Sequence, residues 1–507
     1  MLSEWGRSLT CLGLDARGEP KTGFQPVGRP KRRRKRLPHI LLLLLSVSIL
    51  HATPRDPWVR IRSANFELFT TAGERTGRDL LRYLEQVRSF FQQAFALDGA
   101  TALPVRIVSF RSDKEYLPYR PSEVASAFFQ PGFEHDYIVM KNPSTDLYPM
   151  AVHEYTHLLL RQTKLEVPPW LNEGLAELYS SLEPAGSKIV VGNLIPGRTR
   201  TLAREPWIDL RALVTAGPNS PLYNQKRRAG MFYSESWALV HMLTLDDRYS
   251  PELRAMMDIL KYGGDSVAAF QRAYSKPIGK VQEDLQAYIG GDRFNAAVFD
   301  VQLQAEDEEP RVETDSAMLA RLALAELLSN DRSKLDRALA AYKALSHDYE
   351  NRWEVEQGWA EFLARERRNN EALPHFQRAA GLGANDARMY VKYARVLAMT
   401  NRSGEAATAL KTAVRFDPKL NDAHFELAVT LVRMGSYREA LAEFHAIQHL
   451  DPQHAYRYFY NLAEAHYRLG DIAQARLLIE KGHFQTHNPE EIAALNRLQQ
   501  SLDRAAQ

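Results

Sequence analysis

Residues 151–160 read "AVHEYTHLLL", two histidines four apart with a glutamate between them. On a helix, positions four apart share a face, so His153 and His157 present two imidazoles to one point. Glu154 then sits about 100° round the axis, near enough to reach a group held between the imidazoles without itself holding it. Zinc at a catalytic site takes three protein ligands and leaves one position for water, so a third ligand should follow nearby. After the turn "EVPPW" comes "LNEGLAELYS", a second helical stretch with Glu173 and Glu177 one turn apart on one face.

His-Glu-x-x-His with Asn-Glu on the next helix resembles the gluzincin zinc peptidases, the group that includes thermolysin and aminopeptidase N. "WLNEGLAE" is similar to the aminopeptidase-type version of that second helix. The likeness is close over about 30 residues and looser over residues 54–295. It implies an α+β zincin-like metallopeptidase domain that binds Zn2+ and hydrolyses a peptide or protein substrate. Carried over by position, it implies His153, His157 and Glu173 as the metal ligands and Glu154 as general base. Glu177 matches the carboxylate that hydrogen-bonds a ligating histidine. The plain reading, two histidines satisfied in a core, needs neither Glu154 nor an acidic second helix.

An oxyanion donor should come from further along the chain. "MFYSESWALVHML" places Tyr233, Trp237 and His241 one turn apart, and the resemblance implies a tyrosine or a histidine in this role. Tyr233 and His241 are both candidates, and packing in a core is the competing reading of each. His135 reads as incidental. His445 and His449 are also four apart, but they have no intervening glutamate and no acidic helix after them, and they read as surface residues. The Gly-x-Met-Glu-Asn stretch with which the aminopeptidase branch reads a free N-terminus is absent, which favours cleavage inside a chain. "SAFFQPGFEHDYIVM" reads as a hairpin whose edge strand would pair with an extended substrate.

A chain of 507 residues is too long for one core, so two or three domains are expected. Residues 1–52 carry ten Lys/Arg against three Asp/Glu; taking that surplus of seven from the overall +3 leaves −4 elsewhere. The rest of the chain therefore gives no electrostatic case for nucleic acid. "RPKRRRKRLPHILLLLLSVSILHA" is a basic run followed by about eleven apolar residues, the length of a signal-peptide core rather than a bilayer span. The expectation is export to a bacterial periplasm or cell envelope, with the leader either cleaved after Ala52 or kept as an N-terminal membrane anchor. The single cysteine, Cys11, lies in this leader, so any metal site downstream uses histidine and carboxylate.

The metallopeptidase-like domain is expected over residues 53–304. "FELFTT" and "VRIVSF" read as strands around the helix "GRDLLRYLEQVRSFFQQAF", and a second hairpin is expected at "SKIVVGNLIPG". Residues 305–315, acidic and with a proline, read as a linker. Beyond it Ala338, Ala372, Ala406 and Ala440 are spaced by 34, and Ala475 follows after 35. Tyr342, Phe376, Leu410, Phe444 and Ile479 keep step. This period, with small residues at close helix contacts, resembles the tetratricopeptide repeats over residues 316–500 in about five units, an all-α solenoid. The resemblance implies a groove that recruits a protein partner or the substrate. Two functions follow: an exported zinc endopeptidase with a recruiting repeat domain, or a repeat scaffold carrying a vestigial peptidase-like domain.

Overall fold

The computed structural model describes residues 58–505 except 96–103, 122–124, 142, 163–165, 225, 262, 292–293, 302–308 and 314–315. The basic leader, residues 1–52, lies outside the described residues. The chain divides into two compact units at Ala320 and Arg321. Among the described residues no helix is long and apolar enough to cross a membrane.

The first unit begins with β1 (Val59–Arg62) and β2 (Phe66–Thr70), joined through α1 (Glu74–Phe95) to β3 (Val105–Phe110). Then come α2 (Asp113–Tyr116), β4 (Ala127–Gln130) and β5 (Tyr137–Lys141). The strands form one mixed sheet in the order β4-β5-β3-β2-β1-β9, where β9 is Arg311–Glu313. β2, β3 and β5 run parallel, and β2–α1–β3 is a helix-crossover unit. Every residue of β2 is buried, because both faces of the sheet are covered there. On one face Phe66 and Leu68 meet Leu80, Leu84 and Val87 of α1. On the other, Glu67 accepts from Arg60 at 2.8 Å and from Arg106 at 2.7 Å. Burial pushes the Glu67 carboxyl up, but the two guanidinium groups outweigh it and hold it at about 2.

The segment read as a linker thus supplies a strand. Arg311–Glu313 pairs antiparallel with β1, with Arg60 opposite Glu313, because β1 would otherwise expose an unpaired edge. The hairpin at "AFFQPGFEHDYIVMK" forms as β4 and β5, antiparallel, with Phe129 opposite Ile138. The second hairpin forms earlier than the sequence suggests, as β6 (Glu183–Ala185) and β7 (Lys188–Val191). Its turn uses Gly186 at φ +66°, and Pro196 opens a helix instead of closing the hairpin.

Between these elements lie α3 (Tyr148–Gln162) and α4 (Pro169–Ser180). After the second hairpin follow α5 (Pro196–Arg204), α6 (Leu210–Val214), α7 (Pro221–Asn224), α8 (Lys226–Leu245), α9 (Leu253–Leu260), α10 (Ser266–Tyr274), α11 (Ile278–Gly290) and β8 (Ala297–Asp300). Val152, Tyr155 and Leu158 fix the buried face of α3, where the Tyr155 ring lies 5.3 Å from Phe66. Pro169, in the first turn of α4, spares an amide that has no helical partner there. Gly174 lets α4 approach α8 closely: a Cβ there would lie 2.5 Å from the Ser236 carbonyl oxygen. The two helices that carry the candidate ligands are thus held by one continuous core.

The second unit is helical throughout. With α12 (Ser316–Ser329), which reaches back across the division, its helices are α13 (Leu335–Asp348), α14 (Trp353–Arg365), α15 (Asn369–Gly381), α16 (Ala387–Met399), α17 (Ser403–Phe416), α18 (Asn421–Arg433), α19 (Tyr437–Ala446), α20 (Ala455–Arg468), α21 (Ile472–His483) and α22 (Pro489–Ala505). Ala338, Ala372, Ala406, Ala440 and Ala475 fall on the second helix of each pair, and all are 0 % exposed. The turn within a pair carries a left-handed residue at Arg367, Asn401, Gly435 and Gly470. The period of the sequence is therefore a period of backbone conformation as well as of burial.

Candidate metal centre

His153 and His157 project from α3 with ring centroids 4.7 Å apart, and their Nε2 atoms approach to 3.0 Å. Glu173, on α4, brings Oε2 to 3.4 Å from Nε2 of His153 and 3.5 Å from Nε2 of His157. Ligands on a tetrahedral zinc at 2.0–2.1 Å lie about 3.3–3.4 Å from one another, close to these separations. Oε2 of Glu173 is buried and receives no hydrogen bond within the protein. A buried carboxylate oxygen left unbonded is costly, and a cation shared with the two imidazoles would satisfy it. The donor set therefore fits a zinc ion. Among the described residues these three form the one cluster of at least three potential metal ligands.

Charge points the same way. Burial works against protonation of His157, but the Glu173 carboxylate facing its Nε2 at 3.5 Å and the charge of Glu154 raise it to about 9. Burial would raise the Glu173 carboxyl, yet the two histidines drive it far below the ordinary range. The cluster draws positive charge to itself.

The surrounding side chains orient the donors. Nδ1 of His157 donates to Oδ1 of Asn172 at 3.0 Å, so in the neutral ring the lone pair falls on Nε2, which a metal ion would take in place of a proton. Glu177 faces Nδ1 of His153 at 3.5 Å and is itself gripped by Arg198, at 2.9 and 2.5 Å. Oη of Tyr223 donates to Oε1 of Glu173 at 2.7 Å. Oε2 of Glu154 accepts from the backbone N–H of Phe129 at 2.7 Å, which ties the expected base to the outer strand of the sheet.

The two downstream candidates separate. Tyr233 lies beside the cluster: the Arg198 guanidinium stands 5.3 Å from its ring, and the Tyr223 ring is 6.2 Å away. Burial and the nearby Glu173 keep its hydroxyl protonated well beyond the ordinary range. His241 is a correction. It lies eight residues further along α8, about 12 Å at the helical rise, and is fully buried. Nε2 donates to the Gly192 carbonyl at 3.0 Å and Nδ1 accepts from Tyr288 at 2.8 Å, so both ring nitrogens are used for packing. Burial holds its pKa below the usual histidine value. His445 and His449 are exposed on the repeats. Sequence reasoning missed Asn172, although it stands in the quoted motif, and missed Arg198 and Tyr223, which no local pattern marks.

The tetratricopeptide repeat family model matches residues 358–421 and 425–482. No curated protein matches the chain. Similar solved structures include YrrB, a TPR protein with an unusual peptide-binding site, at 23% identity over 36% of this chain and 91% of that one, TM-score 0.32. MamA is similar at 17% identity over 32% and 91%, TM-score 0.30, and PilF of Pseudomonas aeruginosa at 14% over 36% and 81%, TM-score 0.31. The C-terminal part of the chain carries tetratricopeptide repeats, and such repeats suggest binding of a protein partner.

Proposed function

We propose that the chain joins a zinc-dependent peptidase domain of gluzincin type, zincin-like in fold, to repeats that hold a protein partner or the substrate itself. The observation that carries the enzymatic half is the convergence of His153, His157 and the unbonded Oε2 of Glu173. When bound there, zinc would supply Lewis-acid polarisation of a carbonyl and of water. Glu154, steadied through Oε2 by Phe129 N–H, takes a proton from the attacking water on Oε1 and passes it to the leaving amine. Tyr233, flanked by Arg198, offers its hydroxyl to the developing oxyanion. Ser126 accepts from Lys141 across the hairpin, so by alternation Ala127 and Phe129 turn their backbone groups outward. The Phe129 amide is already given to Glu154. An extended substrate would therefore be read by the Ala127 groups and the Phe129 carbonyl, which suits cleavage within a chain. Export to the cell envelope is part of this proposal and rests on residues 1–52 alone.

A second reading has its own support. The comparisons reach the repeats and not the first unit, which favours an interaction scaffold whose peptidase-like domain is vestigial. Incubation of unfolded protein substrates with wild type and Glu154→Gln decides between them. Cleavage by wild type, lost in a variant that keeps its zinc, supports the enzyme. Zinc-loaded wild type that cleaves nothing supports the scaffold.

A further inference from the structure

Glu173 has two oxygens in unlike surroundings. Oε2 is the orphan that faces both imidazoles, whereas Oε1 accepts the Tyr223 hydroxyl at 2.7 Å. The carboxylate is only 4 % exposed, so solvent does not readily replace that donor. Tyr223 comes from the short helix α7, and its ring packs 5.4 Å from Phe232, a contact that a phenylalanine would keep. A carboxylate with both oxygens unbonded can chelate a metal through both. That would add a fourth protein donor where a peptidase needs an open position.

We infer that Tyr223 is a positioning residue that fixes how Glu173 binds metal: by holding Oε1 it leaves Oε2 as the single donor oxygen and keeps one coordination position open. The inference rests on the zinc reading of the cluster. Tyr223 lies 50 residues from Glu173 in sequence and meets the cluster through that carboxylate, so it acts through Glu173.

The test uses the full chain, zinc affinity by chelator competition, and the visible absorption of the Co2+-loaded protein. Tyr223→Phe should weaken zinc binding by about 10- to 100-fold, the usual cost of losing an outer-sphere partner. The Co2+ bands should lose intensity as the site gains a donor. In a Glu173→Ala background, where the two histidines keep only weak binding that dialysis strips but excess metal restores, the same substitution should change neither quantity measured in excess metal, because the group it acts through is gone. Unchanged affinity and spectrum in Tyr223→Phe alone would overturn the inference while leaving the zinc site standing. A further loss in the Glu173→Ala background would also overturn it, by showing that Tyr223 acts through packing. Wild type that takes up no Co2+ would overturn both the zinc reading and this inference.

Discussion

Oε2 of Glu154 accepts the backbone N–H of Phe129 at 2.7 Å, so the carboxylate between the two histidines is anchored to the outer strand of the sheet. One oxygen is committed to orientation, and the proposed proton transfer uses the other. Glu154→Gln keeps an acceptor for Phe129 but removes the base. Cleavage should fall by about 10²- to 10⁴-fold, with zinc content and melting temperature unchanged. Parallel measurement of turnover and bound zinc checks this, and equal turnover in the variant would remove Glu154 from the mechanism.

Gly174 marks the tightest approach of α4 to α8, where an added Cβ would meet the Ser236 carbonyl and Val240. Gly174→Ala should destabilise the first unit by about 1–3 kcal/mol, the range for forced overpacking. It should also weaken zinc binding, because Glu173 is the preceding residue. Calorimetry with a chelator present reads the first effect alone, and an unchanged melting temperature would mean that the helices can part without cost.

Arg367 holds φ +58° at the turn position where equivalent repeats use Asn401, Gly435 and Gly470. Its side chain is exposed, so nothing in the fold requires arginine there. Arg367→Gly should stabilise the repeats by about 1 kcal/mol through relief of the left-handed conformation. Urea unfolding followed by circular dichroism measures this, and a loss of stability would contradict it.

Glu235 is buried on α8 and accepts from the Ile208 amide at 2.5 Å. Burial pushes its carboxyl up to about 8; the amide pulls the other way and nearby Asp209 adds to the rise. Between the ordinary carboxylate value of 4.5 and about 8, the folded chain holds a proton that the unfolded chain has lost. Stability contributed by this group is therefore full below that window and declines as pH rises through it. Metal-free protein should melt at a lower temperature at pH 8.5 than at pH 5.5, and Glu235→Gln should reduce the difference, the remainder coming from His157. An identical pH profile in the variant would show that Glu235 is not the source.

The sequence is informative where a period carries the meaning. His153, His157, Glu173 and Glu177 are spaced by the helical repeat, and Ala338 to Ala475 by the repeat unit, so both sets could be placed on faces before any coordinates. Periodicity gives an angle but not a depth, which is why His241 stands as a candidate beside Tyr233 in the sequence although its ring is spent on Gly192 and Tyr288. Arg198 and Tyr223 reach the cluster from elements 21 and 50 residues away from their partners, a consequence of tertiary packing that no local spacing announces. Residues 311–313 read as linker because their polarity suits solvent, and only the open edge of β1 makes them a strand.

Zinc content of the full chain after exhaustive dialysis, compared with His157→Ala and Glu173→Ala, tests the metal site most directly. One tightly held ion is expected in wild type, and its loss in both variants. Wild type without zinc, or variants that retain it as wild type does, would contradict the convergence on which the enzymatic reading depends.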